Sequence, residues 1–437
     1  MKMNDMETPI YDFLKKYSNQ NISRLHMPGH KGTGFLGCEN MDITEVFGAD
    51  SLYEADGIIK ESEKNASKIF NTGATFYSTE GSSLCIRAML YTALINTDKN
   101  PVIVASRNVH KSFVYACAAL DIDAKWIYPK NSDSICGGTI TAEEADDAIK
   151  KYNPFALFIT SPNYLGEMTD IKSISKVCKK YNIPLLVDNA HGAYLKFINK
   201  HPVELGAAMC CDSAHKTLPV LTGGAYLHIS EEYKNLYSPL IKNAMGFFGS
   251  TSPSYLTLAS LDLCNKYLFD GYSEKLKAFI TKVAATKESI ENSGYKLSGD
   301  EALKITVRAN GIKMAEKLRA VGGECEYCDE QFIVFMLTPA NSDHDLKLIK
   351  NLFENELSEN LNSPPLLVQG EKAISIREAV MSKQENVMVS KAIGRICASP
   401  TVSCPPAVPI AISGEIITEE MVKIFEFYNI KYVSCVK

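Results

Sequence analysis

Short apolar runs alternate with helix-like stretches between about residues 67 and 230. The apolar runs predict strands over 102–105, 156–160, 185–187, 208–211 and 225–228. Between two of these runs, the stretch from Ile174 to Tyr181 has apolar residues at the i, i+3, i+4 and i+7 positions of an amphipathic helix. Strands that are apolar throughout are typical of a parallel sheet covered on both faces. The pattern therefore predicts an α/β fold built from βαβ units.

The pattern changes near residues 252–255. A long helical stretch follows, from about 256 to 290, and beyond it an α+β pattern includes a strand over 332–337 and a helix over 343–354. Residues 400–415 are rich in proline, which predicts an extended, rigid loop. We therefore predict an N-terminal segment (1–40), a large domain (41–290) and a smaller C-terminal α+β domain (291–437).

The composition argues against several classes of partner. The 437 residues carry a formal net charge of −5, so the chain has no basic excess that would attract nucleic acid. No apolar run reaches membrane-spanning length, and the N-terminus lacks the apolar core of a signal peptide. We therefore expect a cytoplasmic protein that binds neither nucleic acid nor a membrane.

The thirteen cysteines do not indicate disulfides or a metal site. They are odd in number and scatter through apolar stretches, which is typical of reduced thiols in a cytoplasmic protein. Cys325 and Cys328 form a single CxxC pair, for which two ordinary thiols are the simpler interpretation. His26 and His30 lack a third ligand at a suitable spacing, so no metal is predicted.

Two charged residues follow the ends of successive predicted strands. Asp188 comes directly after the run over 185–187, and Lys216 follows the run over 208–211. Ligands of parallel sheets bind at these carboxyl ends. Pyridoxal phosphate needs a lysine that forms a Schiff base and a carboxylate that keeps the pyridine nitrogen protonated. We predict these roles for Lys216 and Asp188; the alternatives are a solvated surface lysine and a helix N-cap.

Three further residues are candidates for contact with the cofactor ring. Ala190 is small enough to let a flat ring lie against the backbone, and His191 could pair with Asp188 or with the ring oxygen. His110 follows the predicted strand over 102–105. Its imidazole either stacks on the pyridine ring or is an ordinary hydrogen-bonded loop residue.

A phosphate site is predicted at the start of a helix. Ser82 and Ser83 follow a glycine and precede a helical pattern, where hydroxyls and backbone N–H groups bind phosphate. An N-cap serine explains the same pattern about as well. Ser213 and His215 would complete the site.

The residues described so far resemble the Orn/Lys/Arg decarboxylase family, which consists of fold-type I pyridoxal phosphate enzymes of the aspartate aminotransferase superfamily. The matching segments, in the family's order, are 26–32 (HMPGHKG), 81–83 (GSS), 107–112 (RNVHKS), 188–192 (DNAHG), 213–219 (SAHKTLP), 251–255 (TSPSY), 404–409 (CPPAVP) and 414–415 (GE). HMPGHKG and SAHKTLP are specific, whereas GSS is not. The resemblance implies a large domain with a mostly parallel seven-stranded sheet, in the short form without an N-terminal wing domain.

The resemblance also implies roles for individual residues. The implied catalytic residues are Lys216, Asp188, His110 and His191. The implied phosphate ligands are Ser82, Ser83, Ser213 and His215. Thr251 or Ser252 would reach the phosphate from a neighbouring subunit, so the resemblance implies a homodimer, or a larger assembly, with active sites at the subunit interface.

Four positions depart from the family pattern. Asn189 replaces an acidic residue, Asn163 a small hydroxyl residue, Gly223 a polar residue and Ala407 a glycine. The first two are expected near the cofactor, where they would alter the preference for a reaction or a substrate. Ala407 bears on how the C-terminal loop packs.

The expected reaction is decarboxylation of arginine, lysine or ornithine to the amine and CO2, with the pyridinium ring as electron sink. Glu378 and Glu415 are candidate partners for a basic substrate side chain, although a surface salt bridge or a helix cap explains either residue more simply. An aminotransferase or a Cβ lyase is an alternative, with Arg377 or Arg395 as the carboxylate anchor. A non-enzymatic cofactor-binding protein is a further alternative. The product would serve polyamine synthesis or acid tolerance.

Overall fold

A computed structural model describes residues 6–130, 132, 134–354, 361, 366–400 and 407–437. The helices are α1 Pro9–Ser18, α2 Ile58–Phe70, α3 Gly81–Ile95, α4 Lys111–Leu120, α5 Ala142–Tyr152, α6 Ile171–Lys180, α7 Ala214–Thr217, α8 Lys234–Phe248, α9 Tyr255–Phe269, α10 Tyr272–Asn292, α11 Gly311–Ala320, α12 Asp343–Phe353, α13 Ile376–Met381 and α14 Glu419–Phe427. The strands are β1 Ala74–Ser78, β2 Val102–Ser106, β3 Asp123–Ile127, β4 Ala156–Thr160, β5 Leu185–Asp188, β6 Met209–Asp212, β7 Ala225–Ile229, β8 Lys296–Ser298, β9 Lys304–Arg308, β10 Tyr327–Cys328, β11 Phe332–Met336, β12 Gln384–Met388 and β13 Tyr432–Val436.

Seven strands form the large sheet, in the order β1-β7-β6-β5-β4-β2-β3. β2 runs parallel to β3 and β4, and β5 runs parallel to β6. β7 is antiparallel to both β1 and β6. The mostly parallel α/β sheet predicted from the sequence is therefore confirmed. The five predicted strands correspond to β2, β4, β5, β6 and β7, each within one residue at either end.

The strands β1 and β3 were absent from the sequence prediction, and both lie at edges of the sheet. Their sequences, ATFYS and DAKWI, mix polar and apolar residues, and partly exposed positions alternate with buried ones. An edge strand is covered less completely than a central one, so its sequence lacks the continuous apolar run that marked the central strands.

The chain divides into two compact units. The first contains residues 1–97 and 186–275, and the second contains residues 98–185 and 276–437. Both units combine segments that are distant in sequence. The sequential boundaries at residues 40 and 290 stay predictions.

In the first unit, α1, α2 and α9 pack together, and α3 packs on α8. Helix α3 presents a sheet-facing side and a helix-facing side, so buried residues occur almost all around it. The predicted long helical stretch is in fact two helices, α9 and α10. The chain breaks between them at Gly271, whose φ of 77° ends helical geometry.

In the second unit, β10, β11, β9 and β8 form an antiparallel sheet, and β12 pairs with β13. The predicted strand and helix of this region are β11 and α12, so the α+β pattern is confirmed. Of the predicted proline-rich loop, residues 401–406 lie outside the described part of the chain. Residues 407–415 contain no helix or strand and are buried.

The described cysteines are free thiols, among them the half-buried Cys325 and Cys328. Cys404 lies outside the described residues. None of the helices within the described ranges combines the length and the apolar character that crossing a bilayer requires. The cytoplasmic location stays a prediction.

Candidate functional site

The ends of β5 and β6 bring the two predicted cofactor residues into one region. Asp188 is the last residue of β5 and lies beside Cys211 in the parallel register with β6. Ser213 follows β6, and the single-turn helix α7 carries Lys216. The chain turns into α7 immediately after the strand, so Lys216 lies near the carboxyl end of the sheet, where ligands of α/β proteins bind.

Lys216 contacts His191. Its Nζ atom lies 3.0 Å from His191 Nε2, and the backbone N–H of Lys216 donates to Ser213 O. His191 is buried in the turn that follows β5, whereas Lys216 is half-buried. Proton exchange between the amine and the imidazole is therefore possible over a single hydrogen bond.

Asp188 has few polar contacts for a buried carboxylate. Its side chain is 3% exposed, and Oδ1 accepts the backbone N–H of Ala190 at 3.1 Å and the thiol of Cys211 at 3.6 Å. Burial raises the pKa of Asp188, and the positive charge of Lys216 opposes that rise. A protonated ring nitrogen would supply the positive charge that such a carboxylate needs to stay ionised. Asp188 and Ala190 therefore fit the pyridine ring of pyridoxal phosphate.

Three of the four predicted phosphate residues, Ser82, Ser83 and Ser213, lie together at the N-terminus of α3. Ser213 Oγ donates to Ser82 Oγ at 2.8 Å, and Ser83 lies half-buried in the same first turn. The backbone N–H groups of a helix start, together with the positive end of its dipole, favour a phosphate. His215 Nδ1 lies 3.1 Å from Gly224 O, which fixes the ring orientation. The arrangement fits a phosphate group.

Gly223 departs from the family pattern for a steric reason. Its φ is 93°, and a Cβ atom at this position would lie 2.6 Å from the carbonyl oxygen of Thr79. Its own carbonyl oxygen accepts the N–H of Gly81, at the start of α3, at 2.7 Å. A side chain at residue 223 would therefore push on the turn that precedes Ser82.

Thr251 and Ser252 are exposed, in the segment between α8 and α9. The neighbouring Ser250 donates its backbone N–H to Glu80, just before α3, at 2.6 Å. This contact holds the start of the segment near the phosphate residues of its own chain. The predicted reach of Thr251 or Ser252 into a neighbouring subunit stays a prediction.

His110 belongs to the second unit, where it caps α4. Its Nδ1 accepts the backbone N–H of Ser112 at 3.1 Å and lies 2.7 Å from the Ser112 hydroxyl. These contacts fix the plane of the His110 ring, as expected for a hydrogen-bonded loop residue. Stacking of His110 on the cofactor stays a prediction.

The other candidates of the second unit have structural partners. Glu378 belongs to a capping box with Ser375 at the start of α13. Glu415 accepts the backbone N–H of Ile412 at 2.8 Å; burial raises its pKa, and the charge of Arg107 opposes this. Arg377 donates to the carbonyl oxygens at the end of α4, and Arg395 pairs with Glu385.

Asn163 closes a local turn of the second unit. Its Oδ1 accepts the backbone N–H groups of Leu165 and Glu167, and its Nδ2 donates to the Glu167 carboxylate at 2.6 Å. The side chain also donates to Gly138 O. These bonds fix the loop after β4. The expected effect of Asn163 on substrate preference is not tested by these contacts.

The HMPGHKG segment forms a network of its own in the first unit. Tyr17 OH lies 2.6 Å from His26 Nε2, and His30 Nε2 lies 3.2 Å from Asp42. The Arg24 guanidinium lies over the Tyr17 ring. Each described imidazole of the motif therefore has a hydrogen-bond partner.

A buried polar cluster behind the strand ends was missed by the sequence analysis. Asn189, His201, Asp212 and His228 are all fully buried. The only sequence signal was a charged residue, Asp212, at the end of an otherwise apolar strand. The histidines are 11 and 16 residues away from Asp212 along the chain, so no local spacing pattern joined them to it.

The chain is similar to known proteins over nearly its whole length. Residues 8–352 match the family described as Orn/Lys/Arg decarboxylase, major domain, and residues 357–432 match its C-terminal domain. Arginine decarboxylase of Bacillus subtilis is 31% identical over 479 residues, covering 99% of this chain and 94% of that protein. Arginine decarboxylase of Bacillus anthracis is 27% identical, covering 96% and 92%. The structure of a Francisella novicida lysine decarboxylase has the same fold, with a TM-score of 0.81, 17% identity, and coverage of 99% and 82%.

Proposed function

The chain belongs to the Orn/Lys/Arg decarboxylase family, and on that premise we propose that it decarboxylates a basic amino acid with pyridoxal phosphate held at Lys216. Membership confirms the predicted family and the activity class. The assignment of single residues rests on the geometry at the ends of β5 and β6. The observation that supports it most directly is the Lys216–His191 contact next to a buried aspartate.

Pyridoxal phosphate supplies an electron sink that accepts the electron pair left when CO2 departs. Asp188 is buried, so its ionised form needs a positive partner, and a protonated ring nitrogen beside it would supply one. Ala190 leaves room beside it for a flat ring. Asp188 and Ala190 therefore bind and orient the ring, and they exclude water from one side of it.

Lys216 and His191 hold and move protons. An amine is a nucleophile only when it is neutral, and the imidazole at 3.0 Å can accept its proton. The same pair can return a proton to a carbon atom after CO2 has left. Ser82, Ser83, Ser213 and His215 bind the phosphate through hydroxyl, imidazole and backbone N–H groups.

Arginine is the first substrate to test, because the two Bacillus relatives are arginine decarboxylases. Lysine is the second, in view of the structural likeness to a lysine decarboxylase. The aminotransferase alternative required Arg377 or Arg395 as an anchor for the substrate carboxylate. Both guanidinium groups contact other parts of the second unit, so no structural observation favours that reaction.

We also propose a homodimer. The stretch of residues 25–47 exposes large apolar side chains that a monomer would leave in water: Leu25 (94% exposed), Phe35 (104%), Leu36 (85%) and Phe47 (103%). Several fully exposed large apolar side chains within one short stretch favour a protein–protein interface there. The exposed Thr251 and Ser252 belong to the same unit and would lie at the shared site.

The test is to incubate the purified protein with pyridoxal phosphate and arginine, lysine or ornithine, and to measure amine and CO2. Equal amounts of both products are expected from at least one amino acid. Lys216→Ala should lose activity by a factor on the order of 1,000 or more, because it removes the nucleophile and the proton carrier. Lys200→Ala, an exposed lysine of the same unit, is the matched control and should keep full activity. Normal turnover by Lys216→Ala would contradict the proposal.

A further inference from the structure

A second carboxylate, Asp212, is buried beside the proposed site. It is the last residue of β6, one position before Ser213 and four before Lys216. It is 0% exposed, like the three polar residues around it, Asn189, His201 and His228. The free energy cost of burying a charge is large, so a retained buried carboxylate needs explanation.

The contacts of Asp212 hold it in the ionised form. Oδ2 lies 3.1 Å from His201 Nε2 and 3.3 Å from His228 Nε2, and Oδ1 accepts the Nδ2 hydrogen of Asn189 at 2.7 Å. The direction of the His228 N–H is poor for a hydrogen bond, so we count His228 as an electrostatic contact. Burial alone would raise the pKa of Asp212, but the imidazoles of His201 and His228 hold it well below its usual range.

The two imidazoles are themselves fixed by packing. His228 Nδ1 lies 2.8 Å from the Thr75 hydroxyl, and the Phe70 ring packs 4.5 Å from the His228 ring. His201 Nδ1 has no hydrogen-bond partner within the described part of the chain. His201 therefore meets Asp212 through Nε2 alone. Burial also lowers the pKa of His228. The Asp212 carboxylate therefore stays negatively charged inside the cluster.

Asn189 links this charge to Asp188. Its backbone N–H donates to Cys211 O at 2.9 Å, and its side chain donates to Asp212, so two bonds join the turn after β5 to the end of β6. Gly192 completes the turn, because a Cβ there would lie 2.2 Å from Asn189 Oδ1. The departure from an acidic residue at position 189 is explained: a second carboxylate would repel Asp212, whereas an amide donates to it.

The pKa values of Asp188 and Asp212 are shifted in opposite directions. Burial raises the pKa of Asp188, and the negative charge of Asp212 adds to that rise, whereas the imidazoles keep Asp212 ionised. Paired carboxylates in environments that separate their proton affinities are typical of catalytic sites. Asp212 is held by Asn189, His201 and His228, and we infer that it acts on the site through these neighbours.

We propose that Asp212 is a positioning residue of the decarboxylase site: its fixed negative charge, and its hydrogen bond to Asn189, hold Asp188 in place and favour a proton on the ring nitrogen that Asp188 partners. This inference rests on the proposed function. The inference adds Asp212 to that function as a residue that does not touch the cofactor. Its negative charge acts on the ring nitrogen through Asp188 and Asn189.

A metal is the main competing explanation for the cluster. Cys210 Sγ lies 3.8 Å from His201 Nε2 and 4.0 Å from Asp212 Oδ1, so three ligand atoms lie close together. A metal on His201 Nε2 would displace the hydrogen that we assign to the bond with Asp212. Chelator treatment therefore separates the two explanations, and we expect it to change nothing.

The experiment measures the absorption band of bound pyridoxal phosphate against pH, without substrate, together with the affinity of the apoprotein for the cofactor. The titratable groups that interact with Asp212 are Asp188, Cys85, Cys210, Cys211, His201, Tyr226 and His228. Lys216 and His191, which contact each other, also shape this profile. Asp212→Asn removes one negative charge from this group. The midpoint of the band should therefore move to lower pH by about 0.5–1 unit, because the protonated, cationic forms of the cofactor lose the electrostatic stabilisation that Asp212 provides.

Two substitutions of His201 give an independent test. His201→Gln keeps an N–H donor toward Asp212 and should leave the midpoint within about 0.2 unit of the wild type. His201→Leu removes the donor, lets Asp212 take up a proton, and should shift the midpoint in the same direction as Asp212→Asn. Asp262→Asn, which changes another buried carboxylate of the same unit, is the control and should cause no shift.

The outcomes separate this inference from the proposed function. Absence of a Lys216-dependent band in the wild type, or the same band in Lys216→Ala, would overturn the proposed function itself. A wild-type band that disappears in Lys216→Ala, combined with an unshifted midpoint in Asp212→Asn and His201→Leu, would overturn the role of Asp212 alone. A midpoint that moves on chelation would assign the cluster to a metal and also overturn it.

Discussion

At the scale of single residues, Gly223 and Ala407 both have a positive φ, but only one of them is a glycine. Gly223 needs its φ of 93° and has no room for a side chain. Ala407 has a φ of 59°, a region that alanine enters at a cost in free energy. Its carbonyl oxygen accepts the N–H of Lys111, next to His110, at 3.0 Å. The alanine in place of the family's glycine is thus accommodated in the glycine-type conformation.

Ala407→Gly should raise the free energy of unfolding by roughly 0.5–1 kcal/mol, because glycine adopts a positive φ without the clash of a Cβ atom. Urea denaturation measures the change. The matched control is Ala119→Gly, at an exposed helical position of α4, which should lower stability by about 1 kcal/mol. Equal losses in both variants would show that the backbone at Ala407 is not strained.

At the scale of elements, one carboxylate joins three helices of the first unit. Asp262 on α9 accepts the backbone N–H groups of Ile10 and Tyr11 at the start of α1, at 2.9 and 3.0 Å. It also accepts the Ser62 hydroxyl of α2. Thr8, the N-cap of α1, makes no capping bond with its own side chain, so Asp262 caps this helix from a distant part of the sequence.

Asp262 should make stability depend on pH. Burial raises its pKa from 3.8 to about 6, so the folded protein binds this proton more tightly than the unfolded chain. The resulting stabilisation is complete below about pH 4 and is lost as the pH rises through 6, by roughly 3 kcal/mol for an isolated group. Thermal melts between pH 5 and 7.5 should therefore show a smaller decrease in Asp262→Asn than in the wild type. Identical pH slopes would mean that the three donors, not burial, decide the ionisation of Asp262.

At the scale of the whole molecule, the stretch of residues 25–47 bears on the proposed homodimer. Its apolar side chains are almost completely exposed in one chain, although Phe47 lies only a few residues before the buried Leu52. Burying a phenylalanine stabilises an interface by about 2–3 kcal/mol. Phe35 and Phe47, together with Leu25 and Leu36, therefore provide a sizeable driving force for association.

The double variant Phe35→Ser with Phe47→Ser should weaken the proposed dimer by a factor of 100 or more, about 3 kcal/mol at the least. Analytical ultracentrifugation over a range of concentrations measures the dissociation constant. Val321→Ser, which removes an exposed apolar side chain of the second unit, is the control and should leave association unchanged. A monomeric wild-type protein would contradict the dimer, whatever the variants do.

The sequence by itself determined the fold class and the position of the central strands, because a buried parallel strand must be apolar along its whole length. It also placed Asp188 and Lys216 after successive strand ends, and Ser82 at a helix start. These signals are local: each needs only a run of residues and its flanks. The roles of the site residues are predictions that the biochemical tests above address.

Only the tertiary structure decided which distant residues meet. The 2.8 Å contact between Ser82 and Ser213 joins positions 131 residues apart, and Asp262 caps a helix 252 residues away. The Asp212 cluster collects side chains from β6, from β7 and from the connection between β5 and β6. The physical reason is that a buried charge is stable only where polar or charged partners lie close to it in the folded chain. These partners come from distant parts of the sequence, so no local sequence pattern predicts them.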